Sequence, residues 1–123
     1  MPKKAMPVGH DIGVIAGGLS KTGRGKTLAS FNNCSLGVAR FSTHPLWERH
    51  PASDEFLQVF DGELDLTLLT EDGPPVEATL RPGFVFVVPR GLWHSPRPRG
   101  SVTMLYMSDA EGTEVSDRKD PRI

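Results

Sequence analysis

Cysteine is almost absent from this sequence: Cys34 stands alone, which excludes an intramolecular disulfide and the stapled scaffolds of small secreted domains. With no basic partner nearby in sequence, its thiol reads as buried and inert rather than nucleophilic. Charge of one sign is equally scarce. Fourteen Lys and Arg against fifteen Asp and Glu leave a formal net charge of -1, so the electrostatic footprint of a nucleic-acid binder is missing. No apolar run approaches the roughly 18–20 residues that cross a bilayer as a helix. The first residues lack the apolar stretch and small-residue cleavage site of a secretory leader. We therefore expect a cytoplasmic protein with neither a nucleic-acid nor a membrane partner.

Glycine and proline, in contrast, are plentiful, at 13 and 11 of 123 residues. Proline breaks helix interiors and glycine supplies the positive φ of tight turns. Punctuation at this density suits short strands joined by turns, and the length suits one domain.

Residues 1–11 carry little pattern and read as an arm. Residues 12–19 (IGVIAGGL) are expected as a short strand. SKTGRGKT at 20–27 invites a phosphate-loop reading, but Gly25-Lys26-Thr27 would need a glycine where Ser20 stands, so a solvated basic turn is preferred. From Leu36 the pattern turns to period two. LGVARFS alternates, EFLQVF (55–60) alternates in part, and LDLTLL sets Leu64, Leu66 and Leu68 on one face, as a half-buried strand requires. Asp61-Gly62 between two such runs reads as a hairpin turn. Turns are also expected at 71–75 and at Arg81-Pro82-Gly83. FVFVVP (84–89) and VTMLYM (102–107) complete seven or eight strands with essentially no internal helix. The tail from Ser108 is charged; it can hold a turn of helix, stay disordered or cover a partner's edge. An all-β jelly roll or barrel, which protects its edges, is the fold this pattern predicts.

Four histidines occur, at 10, 44, 50 and 94. Glu48 and His50 are two apart, so on a strand they share a face. Glu55 follows beyond a tight Pro-Ala-Ser-Asp turn, and His94 is expected at a strand end. Two imidazoles and two carboxylates form a mixed nitrogen and oxygen set. It suits one divalent transition metal: iron, manganese, zinc, nickel or copper. Trp47 and Trp93 each precede a candidate ligand and should point away. Phe56, Phe60, Phe84 and Phe86 are expected in the core or at an interface, and Arg40 in a structural contact rather than on a substrate. Met104 and Tyr106 share a strand face that can line a cavity.

These residues resemble the cupin family, whose motifs are G-x5-H-x-H-x3–4-E-x6-G and G-x5-P-x-G-x2-H-x3-N. His50, Glu55 and Gly62 match the second half of the first motif, and Gly83, Pro89, Gly91 and His94 match the second. The resemblance spans about residues 36–107 and implies a double-stranded β-helix, or jelly-roll, barrel. It divides the chain into an arm with edge strands (1–35), the barrel core (36–107) and the charged tail (108–123). His50, Glu55 and His94 inherit the ligand role. Glu48 stands where the family has its first metal histidine, Ser42 where it has a leading glycine, and Pro98 where it has a final asparagine. By the same resemblance the chain is expected to act on a small organic molecule, with dioxygenase chemistry first and isomerase or lyase chemistry next. The alternative is a non-catalytic module that binds or senses a small ligand. Homodimers are implied as well.

Overall fold

The computed structural model describes residues 7–19, 22–43, 46–109 and 111–123, with the backbone alone for 22–24. Among the described residues one short helix, α1 (Ile12–Gly17), precedes eight strands. They are β1 (Thr22–Phe31), β2 (Cys34–Phe41), β3 (Trp47–Arg49), β4 (Glu55–Leu69), β5 (Val76–Leu80), β6 (Val85–Val88), β7 (Trp93–Asp109) and β8 (Glu114–Ser116). Every pairing is antiparallel.

The two longest strands, β4 and β7, pair along nearly their whole length, from Phe56 opposite Met107 to Leu69 opposite Trp93. The ladder is not straight. Asp61 faces Thr103 while Glu63 faces Arg99, so Gly62 alone stands against Gly100, Ser101 and Val102. Gly62 and Gly100 both have positive φ (83° and 75°), as tight bends demand. A second irregularity just before this bend changes which residues point inward: Val59 faces Met104 and Asp61 faces Thr103, so Phe60 is one extra residue in β4. Leu57 and Val59 are buried before the bend, and Leu64, Leu66 and Leu68 after it, so the inward set passes from odd to even numbers. A strand without an irregularity cannot do this, because its side-chain period is two.

The bend divides the ladder between two sheets. The first half of β4 and the second half of β7 are flanked by β6 on one side and by β2 and β1 on the other. The second half of β4 and the start of β7 are flanked by β5, and by β3 and β8. Between them lies one core of Phe41, Leu57, Val59, Leu64, Leu66, Leu68, Leu80, Val88, Val102 and Met104. This is the expected all-β jelly roll.

Four local expectations need correction. Residues 12–17 form a helix and not a strand. Asp11 caps it by accepting the Val14 N–H (3.1 Å), the Arg40 guanidinium donates to the Ala16 carbonyl at its end (3.4 Å), and only Ala16 is buried. Residues 22–27, expected in a basic turn, open β1, which pairs with β2; Ser20 and Lys21 lie outside the described residues, as does His44. Asp61-Gly62 is a bend within β4 and not a hairpin, because the strand on each side of it keeps the same partner, β7. The tail forms β8, which pairs with β3 of its own chain, Trp47 opposite Ser116 and Arg49 opposite Glu114. The turn at 81–83 is present and closes with the Phe84 N–H on the Arg81 carbonyl (2.8 Å).

A Cβ at Gly62 would overlap the carbonyl oxygen of Ser101, whereas one at Gly100 meets open space. Both substitutions incur the cost of positive φ, about 1–2 kcal/mol, and only Gly62→Ala adds overlap with backbone. Gly62→Ala should therefore lower unfolding stability clearly more than Gly100→Ala in urea titrations. Equal effects would refute the assignment of Gly62 to a packed bend.

Candidate metal centre

Four side chains converge at one end of the sandwich. Glu48 lies on β3 directly opposite His94 on β7, and His50 follows β3 by one residue. The turn after it returns the chain into β4, whose first residue is Glu55, and the Gly91 N–H holds the His50 carbonyl (3.0 Å). His94 is fully buried, Glu55 is 4% exposed and His50 6%. Glu48, at 33% side-chain exposure, is the member that faces solvent.

His94 Nε2 donates to Glu55 Oε1 (3.0 Å), and its Nδ1 lies 3.0 Å from the Leu92 carbonyl oxygen. A carbonyl only accepts, so Nδ1 carries a proton. With both nitrogens facing acceptors, the metal-free ring is an imidazolium. His94 Nε2 is also 3.4 Å from Glu48 Oε1. Nδ1 of His50 is hydrogen-bonded to the Thr113 hydroxyl (3.0 Å), which fixes the ring from the tail. Its Nε2 is 3.9 Å from Glu48 Oε1 and 3.0 Å from Glu55 Oε2. Neither contact has the alignment of a hydrogen bond, so among the described residues His50 Nε2 is a buried nitrogen without a hydrogen-bond partner.

Such an atom is costly unless something occupies its lone pair. The four ligand atoms lie within 4.8 Å of one another. Donors about 2.1 Å from a common ion, at angles of about 90–110°, are separated by about 3.0–3.4 Å. Three of the four close separations, 3.0, 3.0 and 3.4 Å, have that spacing. The cluster could therefore hold a divalent metal ion. Its two carboxylates would balance the ion's charge, and its nitrogen and oxygen donors do not select among iron, manganese, zinc, nickel and copper.

A cavity of about 710 Å³ opens over Glu48, His50 and Glu55, walled by residues that include Phe41, Leu46, Met104 and Tyr106. Met104 and Tyr106 thus line it as the strand pattern predicts. Trp47 and Trp93 do not; the Arg49 guanidinium stacks over Trp93 at 4.6 Å from the ring centroid and pairs with Glu114. Arg40 is likewise outside the cavity, on the Ala16 carbonyl. Phe86 packs against the core, while Phe60 and Phe84 are exposed. Thr113 carries no signal in the sequence, because its role depends on β8 docking beside β3. The left-handed glycines Gly83 and Gly91 explain two fixed positions of the second motif, since each turn needs positive φ.

A jelly roll with inward histidines and carboxylates at these spacings defines the cupin class. The cupin domain family matches residues 40–108, and the chain belongs to that family. Germin-like protein subfamily 2 member 2 of Arabidopsis thaliana is 31% identical over 94 residues, covering 70% of this chain and 43% of that protein. Nectarin-1 of Nicotiana plumbaginifolia is 36% identical over 59 residues, 48% of this chain and 26% of that protein. The chain thus spans less than half the length of these relatives. Among solved structures, a cupin-2 domain-containing protein from Shewanella frigidimarina superposes with a TM-score of 0.71 at 18% identity, covering 81% of this chain and 93% of that one. An oxalate oxidase in complex with glycolate gives 0.66 at 21% identity, covering 80% and 57%. These structural matches establish the shared fold.

Burial alone would raise the Glu55 carboxyl; the short contacts and charge of His50 and His94 outweigh it and lower the pKa from 4.5 to about 2. Burial alone would lower the His94 imidazole; its contacts with Glu48, Glu55 and the Leu92 carbonyl raise it from 6.5 to about 10. In chelator-treated protein, Glu55 stabilises the fold above pH 4.5, and that support is lost as pH falls towards 2. His94 stabilises it below pH 6.5, and that support is lost as pH rises towards 10. Urea unfolding of such protein should show greatest stability at about pH 5–6, with decline on both sides. Glu55→Gln should flatten the alkaline limb; an unchanged profile would show that the pair is not coupled.

Proposed function

We propose that this chain is a metal-dependent cupin enzyme acting on a small organic molecule, with oxygen-dependent oxidation as the first reaction class. Isomerase or lyase chemistry comes next. The observation that carries the reading is the buried Nε2 of His50, which has no aligned hydrogen bond among the described residues, grouped with His94, Glu55 and Glu48 beneath an open cavity. His50, Glu55 and His94 would hold the ion, with Glu48 as the solvent-side fourth ligand. The ion would supply Lewis acidity, or redox chemistry with oxygen, to a substrate in the cavity. Thr113 and the Leu92 carbonyl orient the two imidazoles, the usual task of groups behind metal-bound histidines. The apolar wall excludes water from the bound molecule, which strengthens electrostatic contacts there. The oxalate oxidase and oxalate decarboxylase that share the fold support an enzymatic use of such a barrel; the substrate is a matter for the pocket.

One observation favours a second reading, a module that binds a small ligand without turnover. Glu48 replaces a family histidine, and a second carboxylate makes the ion a weaker Lewis acid.

Elemental analysis of protein purified without added metal should find about one transition-metal ion per chain, as a single four-donor site implies. Glu55→Ala and His94→Ala should each lose most of it, and Glu48→Ala should weaken binding by at least about tenfold. A chain that neither carries nor takes up such an ion would overturn the reading. Oxygen uptake by iron-loaded protein across a panel of catechols, flavonols and diketones separates the two classes, since a binding module consumes none.

A further inference from the structure

We propose that the cavity takes an uncharged, partly apolar molecule, one oxygen of which is held by the hydroxyl of Tyr106. The charge argument rests on the metal reading above; the assignment of Tyr106 does not.

Tyr106 lies on β7 directly opposite Gly37 on β2. A Cβ at Gly37 would lie 2.5 Å from both Cζ and the hydroxyl oxygen of Tyr106, and one at Gly25 would lie 2.8 Å from that oxygen. Two neighbouring strands therefore carry no side chain where the ring rests. The phenol lies flat across the inner face of its sheet, and any larger residue at either position would displace it. Glycine interrupts strands at a cost, and here the vacated space is filled by one ring in one orientation. The ring borders the cavity that opens over Glu48, His50 and Glu55. Among the described residues the Tyr106 hydroxyl has no hydrogen-bond partner. A pre-positioned donor facing a cavity, with nothing to donate to, is the arrangement expected of a ligand contact.

The charge of the walls defines the ligand further. Among the described residues the cavity is lined by three acids, Glu48, Glu55 and Asp109, and by no lysine or arginine. A divalent ion balances two of the acids and Asp109 remains. A dicarboxylate would enter against that charge, and no guanidinium or ammonium among the described residues lines the cavity to receive it. The rest of the wall combines apolar groups such as Phe41, Leu46 and Met104 with the hydroxyls of Thr27, Ser35 and Ser108. Such a lining suits a neutral molecule that carries hydroxyl or keto oxygens on an apolar frame.

The test is calorimetric titration of zinc-loaded and EDTA-treated protein with catechol, an uncharged probe bearing two adjacent oxygens, and with oxalate. Catechol should bind zinc-loaded wild type at least about tenfold more tightly than oxalate does. Tyr106→Phe keeps the ring over Gly37 and Gly25, so zinc content and folding should be unchanged. It should weaken catechol about five- to tenfold, the usual effect of losing one hydrogen bond to a neutral partner, and leave oxalate unaffected. Tighter binding of oxalate, no binding of catechol, or equal catechol affinity in Tyr106→Phe would each overturn the proposal. Failure to take up zinc would overturn the metal reading instead. The same titrations on EDTA-treated protein would then decide the role of Tyr106 by the same criteria.

Discussion

The bend in the β4–β7 ladder is the constraint on which the rest of this structure depends. Glu55 begins β4, and His94 is paired with Leu68 near the other end of the same strand. On a straight ladder those thirteen residues would hold the two side chains about 43 Å apart, at roughly 3.3 Å per residue. In the folded chain His94 Nε2 and Glu55 Oε1 are 3.0 Å apart. The bulge of Gly62 against Gly100, Ser101 and Val102 turns one long hairpin-like pair into two facing sheets. One sheet then carries Glu55, the other carries Glu48 and His94, and His50 lies in the connection between β3 and β4.

Closing the ladder buries polar groups as well as the apolar core, and the two outcomes are coupled. The apolar residues on either side of the bend can share one core only because the inward face changes parity there. At the open end of the sandwich the same closure takes two imidazoles and the Glu55 carboxylate out of bulk water, with Glu48 at the solvent edge. Burying charge is unfavourable unless it is paired. In the metal-free protein the Glu55–His94 pair supplies that compensation, and His50 Nε2, 3.0 Å from Glu55 Oε2, has no aligned hydrogen bond among the described residues. A cation in the middle would satisfy all four groups at once, which is why the same geometry that is awkward for protons suits a metal.

The periphery supports the centre through contacts distant in sequence. The tail pairs with β3 through β8 and sets Thr113 behind His50. The helix α1 is tied to β2 through Arg40 and the Ala16 carbonyl. Neither contact carries a motif. Each takes a polar group of a surface segment and gives it a partner on the barrel, so these segments stiffen the sheets around the site without entering the core.

Much of this was legible in the amino-acid order. Period-two alternation in 36–41 and 64–69, together with dense glycine and proline, gives an all-β sandwich from local physics alone. The spacing of His50 and Glu55, and of Gly83, Pro89, Gly91 and His94, carries the family and three members of the cluster. Even the parity switch between Val59 and Leu64 is written in the sequence, but its cause is not. Asp61-Gly62 can close a hairpin or, with Phe60 as an extra residue before it, continue as a bent strand, and only the partner strand, about forty residues away, decides which. Residues 12–17 are similarly undetermined locally, since the cap at Asp11 and the contact to Arg40 outweigh a weak apolar pattern. The placement of Glu48 across from His94, of Thr113 behind His50 and of Tyr106 over two glycines depends on register between strands far apart in the chain. Local sequence determined which residues could bend, pair and ligate. Tertiary structure decided which of them meet, because a ladder's register is set by its whole length and not by any one segment.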